Sequence, residues 1–307
     1  MIAIIAPCFN EEATIIAFLN KLNDSLVSLD EKFHVIIVDD CSQDNSLKLL
    51  SAYTFPANNI SYDVLELKFN SGHQGAIFQG LLYSSALKPD HAIILDSDGE
   101  DDPQAIPLLL QNRSYEIVSV KRGKRSETIL FRILYFFYKV IFRFVTGKTI
   151  DYGNYCMINS KIIERINYTS FIHLPAYLLK QKATRTKITY GRQKRIDGKS
   201  KMGYKGLFLH GFKSMIEFGE DLLMLFLKSF VVLTVLFLVA LGNIFYQKFI
   251  SHTAILGWFS TLAISLVILA VVCIGFFVLG VLLLNLTYQQ NMKSYKEIFL
   301  VTKSNRK

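Results

Sequence analysis

The chain opens Met1-Ile2-Ala3-Ile4-Ile5-Ala6-Pro7-Cys8-Phe9-Asn10-Glu11-Glu12, and this stretch decides the fold. Ile2–Ala6 is apolar without a polar break, the pattern of a strand buried on both faces of a parallel sheet. Pro7 and Asn10 suit a turn, and Glu11-Glu12 suit the first turn of a helix. No GxGxxG follows, so the fingerprint of a redox dinucleotide fold is missing where that fold would carry it. With no basic segment ahead and an apolar run too short for a secretion signal, the opening reads as a strand of the mature protein.

The same alternation continues outward to about residue 122. Strands are expected at Ile2–Ala6, His34–Asp39, Asp63–Leu67, His91–Asp96 and Glu116–Val120, with helices at about Glu11–Leu29, Asp44–Tyr53, Gln74–Leu87 and Pro103–Asn112. That order predicts an α/β domain with a parallel sheet and crossover helices, whose ligands bind beyond the carboxyl ends of the strands. After the second strand comes Asp39-Asp40-Cys41-Ser42-Gln43-Asp44. Asp39 is placed to accept hydrogen bonds from a base or ribose, whereas Ser42 or Asp44 can simply cap a helix. After the fourth comes Leu95-Asp96-Ser97-Asp98-Gly99-Glu100-Asp101-Asp102-Pro103. In an extended chain Asp96 and Asp98 project to one side, as a hard divalent cation on a diphosphate requires; the alternative is a solvated acidic cap on the next helix. Between them, Asn70-Ser71-Gly72-His73-Gln74 starts a helix where a glycine admits a ligand to the backbone and free N–H groups favour anions. His73 reads equally well as an ordinary helix-start residue.

The remaining sequence speaks of a membrane. Of 307 residues 51% are hydrophobic, and the mean hydropathy of +0.31 is high for a soluble enzyme. The excess lies in two runs, about Leu222–Tyr246 and Ile255–Leu286, each longer than the ~20 residues that cross a bilayer. Ahead of them, Ile129–Val145 is apolar and aromatic except for Arg132, Lys139 and Arg143, which at 100° per residue form one narrow basic stripe. Three cations are costly in hydrocarbon, so residues 129–146 are expected to lie in the headgroup plane; the alternative is a buried core helix with an exposed edge.

The formal charge of +9 calls for an anionic partner. Cations concentrate at Lys121, Arg122, Lys124 and Arg125, in a basic loop over residues 185–205, and in a basic tail over residues 291–307. The positive-inside rule then places both termini and the soluble domain in the cytoplasm. Nucleic acid is excluded as a partner because the basic residues abut the bilayer rather than a stacking platform. Cys8, Cys41, Cys156 and Cys273 show no CxxC pairing and read as free thiols.

Taken in order, these residues resemble glycosyltransferase family 2, and within it the polyprenyl-phosphate glycosyltransferases similar to dolichyl-phosphate mannose synthase and the bactoprenol glucosyltransferases. The matching motifs are Pro-Cys-Phe-Asn-Glu-Glu (7–12), Val-Asp-Asp-Cys-Ser-Gln-Asp (38–44), Asn-Ser-Gly-His-Gln (70–74), Asp-Ser-Asp-Gly-Glu (96–100), Asp-Tyr-Gly (151–153) and Arg195-x-x-Gly198-x-Ser200-Lys201. The resemblance implies a GT-A (Rossmann-like) catalytic domain over residues 1–218, two transmembrane helices over 219–290, a nucleotide-sugar donor and Mg2+ or Mn2+. Pro7, Phe9, Glu11, Ile37, Asp39, Gly72, Gln74, Asp96 and Ser97 match the donor side, and Asp96, Asp98 and Glu100 the metal. Asp151 matches an acidic residue that is catalytic or substrate-orienting; Arg122, Arg125, Arg132, Arg195, Ser200 and Lys201 match the group that handles acceptor phosphate and donor diphosphate.

Relatives usually carry Gly where Cys41 stands, Gln where Glu100 stands, and Ser where Tyr135 stands. The implied reaction is inverting transfer from a donor such as UDP-glucose to undecaprenyl phosphate in a bacterial plasma membrane, for cell-envelope glycans, with self-association left open. The alternatives are a GDP-mannose-dependent mannosyltransferase, a glycan-extending synthase and a nucleotide-binding scaffold without catalysis. Against a synthase, the Gln-x-x-Arg-Trp motif is missing and the only tryptophan is Trp258.

Overall fold

β1 (Ile2–Cys8) and β2 (Phe33–Asp39) are buried along their whole length, and their alternate residues feed two separate cores. The computed structural model describes residues 1–122, 129–191, 211–251, 257–293 and 298–305. Ile2, Ile4, Phe33, Val35 and Ile37 face α1 (Ile15–Leu26), α2 (Ser46–Ala52) and α4 (Ile106–Gln111). Ala3, Ile5, Ile36 and Val38 face α3 (His73–Ala86), α6 (Ser160–Arg165) and α7 (Leu174–Lys180). A three-layer α/β/α domain follows, because each continuous apolar strand needs cover on both faces. The contact is tightest at Gly80 of α3, where an added Cβ would lie 2.5 Å from Ile5 Cγ2 and 2.9 Å from Val38 Cγ2.

Among the described residues the sheet has eight strands in the order β7-β5-β6-β4-β1-β2-β3-β8. β3 (Ile60–Leu67) and β4 (His91–Ile94) run parallel to β2 and β1, which fixes the half that the sequence made legible. The other half departs from the expected parallel sheet. β6 (Cys156–Asn159) lies antiparallel between β4 and β5 (Ile117–Arg122), and β7 (Arg185–Tyr190) runs parallel to β5 at the edge. Residues 185–190 of the expected basic loop are therefore a strand, with polar side chains tolerated because an edge strand is only half covered. The expected basic tail is corrected in the same way: β8 (Phe299–Asn305) pairs antiparallel with β3 and closes the far edge.

The chain divides into two compact units, Met1–Phe137 with Thr149–Glu217 and Ser294–Lys307, and Tyr138–Lys148 with Phe218–Lys293. The second contains α8 (Gly219–Phe249) and α9 (Trp258–Lys293), where Phe226 stacks on Phe276 at 5.6 Å. Gly219–Gln247 and Ala263–Leu283 are long and apolar enough to cross a membrane. α5 (Ile129–Thr146) forms where the amphipathic pattern predicts a helix, with Phe136, Phe137, Val140, Ile141 and Phe144 exposed beside Arg132, Lys139 and Arg143. Cys8, Cys41, Cys156 and Cys273 are free thiols.

Candidate active site

The loops after β1 and β2 interlock. Ser42 Oγ accepts from Asn10 N at 3.0 Å while Asn10 Oδ1 accepts from Gln43 N at 2.8 Å. Ser46 Oγ accepts from Glu11 N at 2.8 Å, Asp44 Oδ2 from Glu12 N at 3.1 Å, and Glu12 Oε2 from Asn45 N at 3.0 Å. These reciprocal bonds satisfy backbone donors that no helix partner reaches, and they set both turns rigidly. The cost appears at Asn10 and Cys41, both held at positive φ (53° and 63°). Asn tolerates that region, whereas Cys adopts it with strain.

Asp39 ends β2 inside this frame. It is 1% exposed; its Oδ2 accepts from Ser42 N at 3.0 Å, and its Oδ1 has no hydrogen-bond partner among the described residues. Burial pushes its carboxyl above the usual range, against the hydrogen bonds from Ser42. A buried carboxylate oxygen without a donor is costly unless something supplies one, so the position suits the hydroxyl or N–H groups of a ligand. The neighbouring Asp40 does different work. Its Oδ1 accepts from Ser71 N at 2.7 Å and from Ser71 Oγ at 3.0 Å, which pins the loop before α3. That loop turns at Gly72, whose φ of 76° suits glycine.

The acidic turn after β4 is tied to the same frame, with Ser97 Oγ donating to the Pro7 carbonyl at 2.7 Å and Asp101 Oδ2 accepting from Asp96 N at 3.0 Å. Asp98 Oδ1 caps Glu100 N at 2.9 Å. Glu100 itself is buried, 3% exposed. Among the described residues no three His, Cys, Asp or Glu side chains are arranged to hold a metal, so the expected trio of Asp96, Asp98 and Glu100 is not gathered round one point. Asp96 and Asp98 are partly exposed, while Glu100 is buried.

A chain of polar contacts then runs from this turn across the sheet. His73 Nε2 lies 3.3 Å from Asp96 Oδ1 and 2.8 Å from Asn154 Nδ2. Asn154 Oδ1 accepts from Gln74 Nε2 at 3.0 Å, and Gln74 Oε1 accepts from Leu174 N at 2.6 Å. Partial desolvation works against charging the half-exposed His73 ring, but Asp96, Asp101 and Asp98 outweigh it and raise the ring above the usual histidine value. Through Asn154 the acidic turn meets the segment carrying Asp151. There Lys187 Nζ lies 2.5 Å from Asp151 Oδ1, and Lys121 Nζ lies 3.8 Å from Oδ2.

Several expected site residues are placed otherwise than the motifs suggest. Gln74 is buried with both amide atoms engaged, so it positions other groups. Ile37 packs in the sheet core between Ala6 and Val64. Pro7 is paired within β1, Glu11 Oε2 accepts from Thr14 Oγ1 at 2.6 Å, and Phe9 is exposed beside them. Arg122 ends β5 opposite Tyr190, and Arg132 is exposed on α5. Arg125, Arg195, Ser200 and Lys201 lie outside the described residues. The sequence reading missed Asn154, Lys121 and Lys187 as site residues. Asn154 had a signal in directly following the Asp-Tyr-Gly motif, whereas the lysines were hidden among other cations.

With this geometry in view, comparison with known proteins settles the family. The profile of glycosyl transferase family 2 matches residues 3–166. The chain belongs to glycosyl transferase family 2. It is 23% identical over 291 residues to the uncharacterized glycosyltransferase YkcC of Bacillus subtilis (strain 168), covering 91% of this chain and 87% of that one. It is 28% identical over 162 residues to the undecaprenyl-phosphate 4-deoxy-4-formamido-L-arabinose transferase of Yersinia pestis (strain Pestoides F). That match covers 52% of this chain and 48% of the transferase, about half its length. Among solved structures, mannosyl-3-phosphoglycerate synthase from Rubrobacter xylanophilus aligns with a TM-score of 0.52 at 13% identity, covering 72% of this chain and 74% of that one. Glucosyl-3-phosphoglycerate synthase from Mycobacterium tuberculosis, in complex with Mn2+, UDP and phosphoglyceric acid, aligns with a TM-score of 0.50 at 14% identity, covering 72% and 78%. These confirm the GT-A-like fold.

Proposed function

We propose that this chain transfers a sugar, with inversion, from a nucleotide-sugar donor such as UDP-glucose to a polyprenyl phosphate, undecaprenyl phosphate in the first instance, at the cytoplasmic face of a membrane crossed by α8 and α9. One observation carries the reading: the contacts Asp96–His73–Asn154 join the acidic turn to the segment bearing Asp151 and its two lysines. Carboxylates and cations joined by this contact chain suit two phosphate-bearing reactants. The relative that acts on undecaprenyl phosphate supports the acceptor.

In this reading Asp39 takes the nucleoside, and Asp96 and Asp98 would hold Mg2+ or Mn2+, which would supply charge neutralisation at the diphosphate. The acceptor phosphate is already ionised at neutral pH, so transfer depends on bringing two anions together more than on a strong base. The exposed apolar arc of α5 rests in the headgroup plane, with Arg132, Lys139 and Arg143 at its edge. The test is purified protein in detergent with undecaprenyl phosphate and a panel of nucleotide sugars, scored by mass for a new glycolipid. A product with one donor is expected; no product with any donor contradicts the proposal.

A further inference from the structure

We propose that Lys187 is a positioning residue for acceptor phosphate: together with Lys121 it neutralises Asp151, so that an incoming phosphate monoester meets a cationic surface instead of a bare carboxylate. The inference rests on the acceptor class proposed above. Lys187 and Lys121 come from neighbouring parallel strands, where Ser119 pairs with Lys187 and Lys121 with Thr189, so the two lysines share one face of the sheet. Their ammonium groups address different oxygens of Asp151, Lys187 Oδ1 and Lys121 Oδ2. Lys187 Nζ also sits over the Tyr152 ring, 5.5 Å from its centroid, and Tyr152 is itself anchored by a 3.2 Å bond from its hydroxyl to the Pro175 carbonyl. A lysine held from two sides, by a carboxylate and by an aromatic face, is placed rather than free.

The charge arithmetic makes the idea testable. Two ammonium groups and one carboxylate leave the cluster at +1. Lys187→Gln reduces it to zero and leaves Asp151, among the described residues, with Lys121. Lys187→Gln combined with Asp151→Asn returns it to +1 through Lys121, and Lys187→Arg keeps it at +1. The probe is farnesyl phosphate, its binding to full-length protein in detergent measured by calorimetry without nucleotide sugar. Lys187→Gln should weaken binding about five- to tenfold, the effect of one charge near a phosphate at a partly solvated site. The double variant and Lys187→Arg should bind within about twofold of the parent, and the differences should shrink in high salt.

A double variant as weak as Lys187→Gln, or a Lys187→Arg as weak as Lys187→Gln, overturns the inference; so does a parent that does not bind the probe. The expected binding order without any glycolipid formed would instead count against the proposed transfer reaction. In the transfer assay, Lys187→Gln should raise KM for the acceptor and leave KM for the donor unchanged. A purely structural role for Lys187 would not produce that split.

Discussion

The loops after β1, β2 and β4 and the strand ends of β5 and β7 stand at one sheet yet are built on opposite principles. The first region is closed: Asp39, Asp40 and Glu100 are buried, and the backbone donors of the two first turns are taken up by reciprocal side-chain bonds. The second is held by partly exposed ion pairs, Asp151 with Lys121 and Lys187. Bonds of the first kind are expensive to break, whereas exposed ion pairs are worth only ~0–1 kcal/mol and can be exchanged for another anion. The contrast teaches that the carboxylate side is held rigidly by buried bonds, while the cationic side rests on ion pairs that can exchange partners.

The sharpest way to break that contrast is Asp98→Ala. If the acidic turn holds the cation, turnover should fall by at least ~100-fold with no loss of folding, measured as glycolipid formed per minute beside a melting curve. Near-normal turnover would remove the metal role from this turn.

Asp39→Asn should act next most strongly, and in two directions. Nucleotide diphosphate affinity should drop by about 10- to 100-fold, since an amide cannot offer two acceptor oxygens to the ligand. Stability should rise, because a buried charge is removed while the bond from Ser42 N keeps an oxygen acceptor. The pH dependence follows in sign. The folded state raises the Asp39 carboxyl above its unfolded value, so the folded protein binds that proton more readily. Stability should therefore increase as pH falls from neutral toward the ordinary carboxylate range. Melting curves across that range should show the increase flattened in Asp39→Asn, with part remaining because burial raises Asp40 as well. Asp63 carries the opposite sign. Burial disfavours its charge, but bonds from His34, Tyr83 and Ser304 prevail and hold it below the usual range, so its contribution is lost only in stronger acid.

The smallest effect sharpens the rigid side alone. Cys41→Gly should stabilise by about 0.5–1 kcal/mol, the relief of a left-handed backbone less the added chain entropy of glycine. Calorimetric melting would detect it; a destabilised variant would mean that the thiol packs more usefully than the backbone strains.

The same contrast explains what could be read from the sequence. β1 and β2 announce themselves because burial on both faces demands unbroken Ile and Val, and the residues ending them had to be inspected for ligands on topology alone. β6 is four residues long, and β7 alternates exposed polar residues with half-exposed Thr186, Ile188 and Tyr190, so neither carries a run long or apolar enough to stand out from a loop. β8 follows two long apolar helices, where charge pattern dominated and pairing with β3 could not be foreseen. Asp39 was legible because strand-end position alone fixes its placement. The burial of Gln74 and Ile37 could not be read, because a motif gives order along the chain and not the direction of a side chain. Lys187 was submerged in a basic run whose parts become distinct only once β7 pairs with β5.

The central claim is that the cationic side receives a phosphate. It is tested most directly by offering the purified protein one competent nucleotide sugar with undecaprenyl phosphate in one reaction and undecaprenol in the other, and measuring glycolipid by mass. The account predicts product with the phosphate and none above background with the alcohol. Equal transfer to both, or transfer to the alcohol alone, would contradict it.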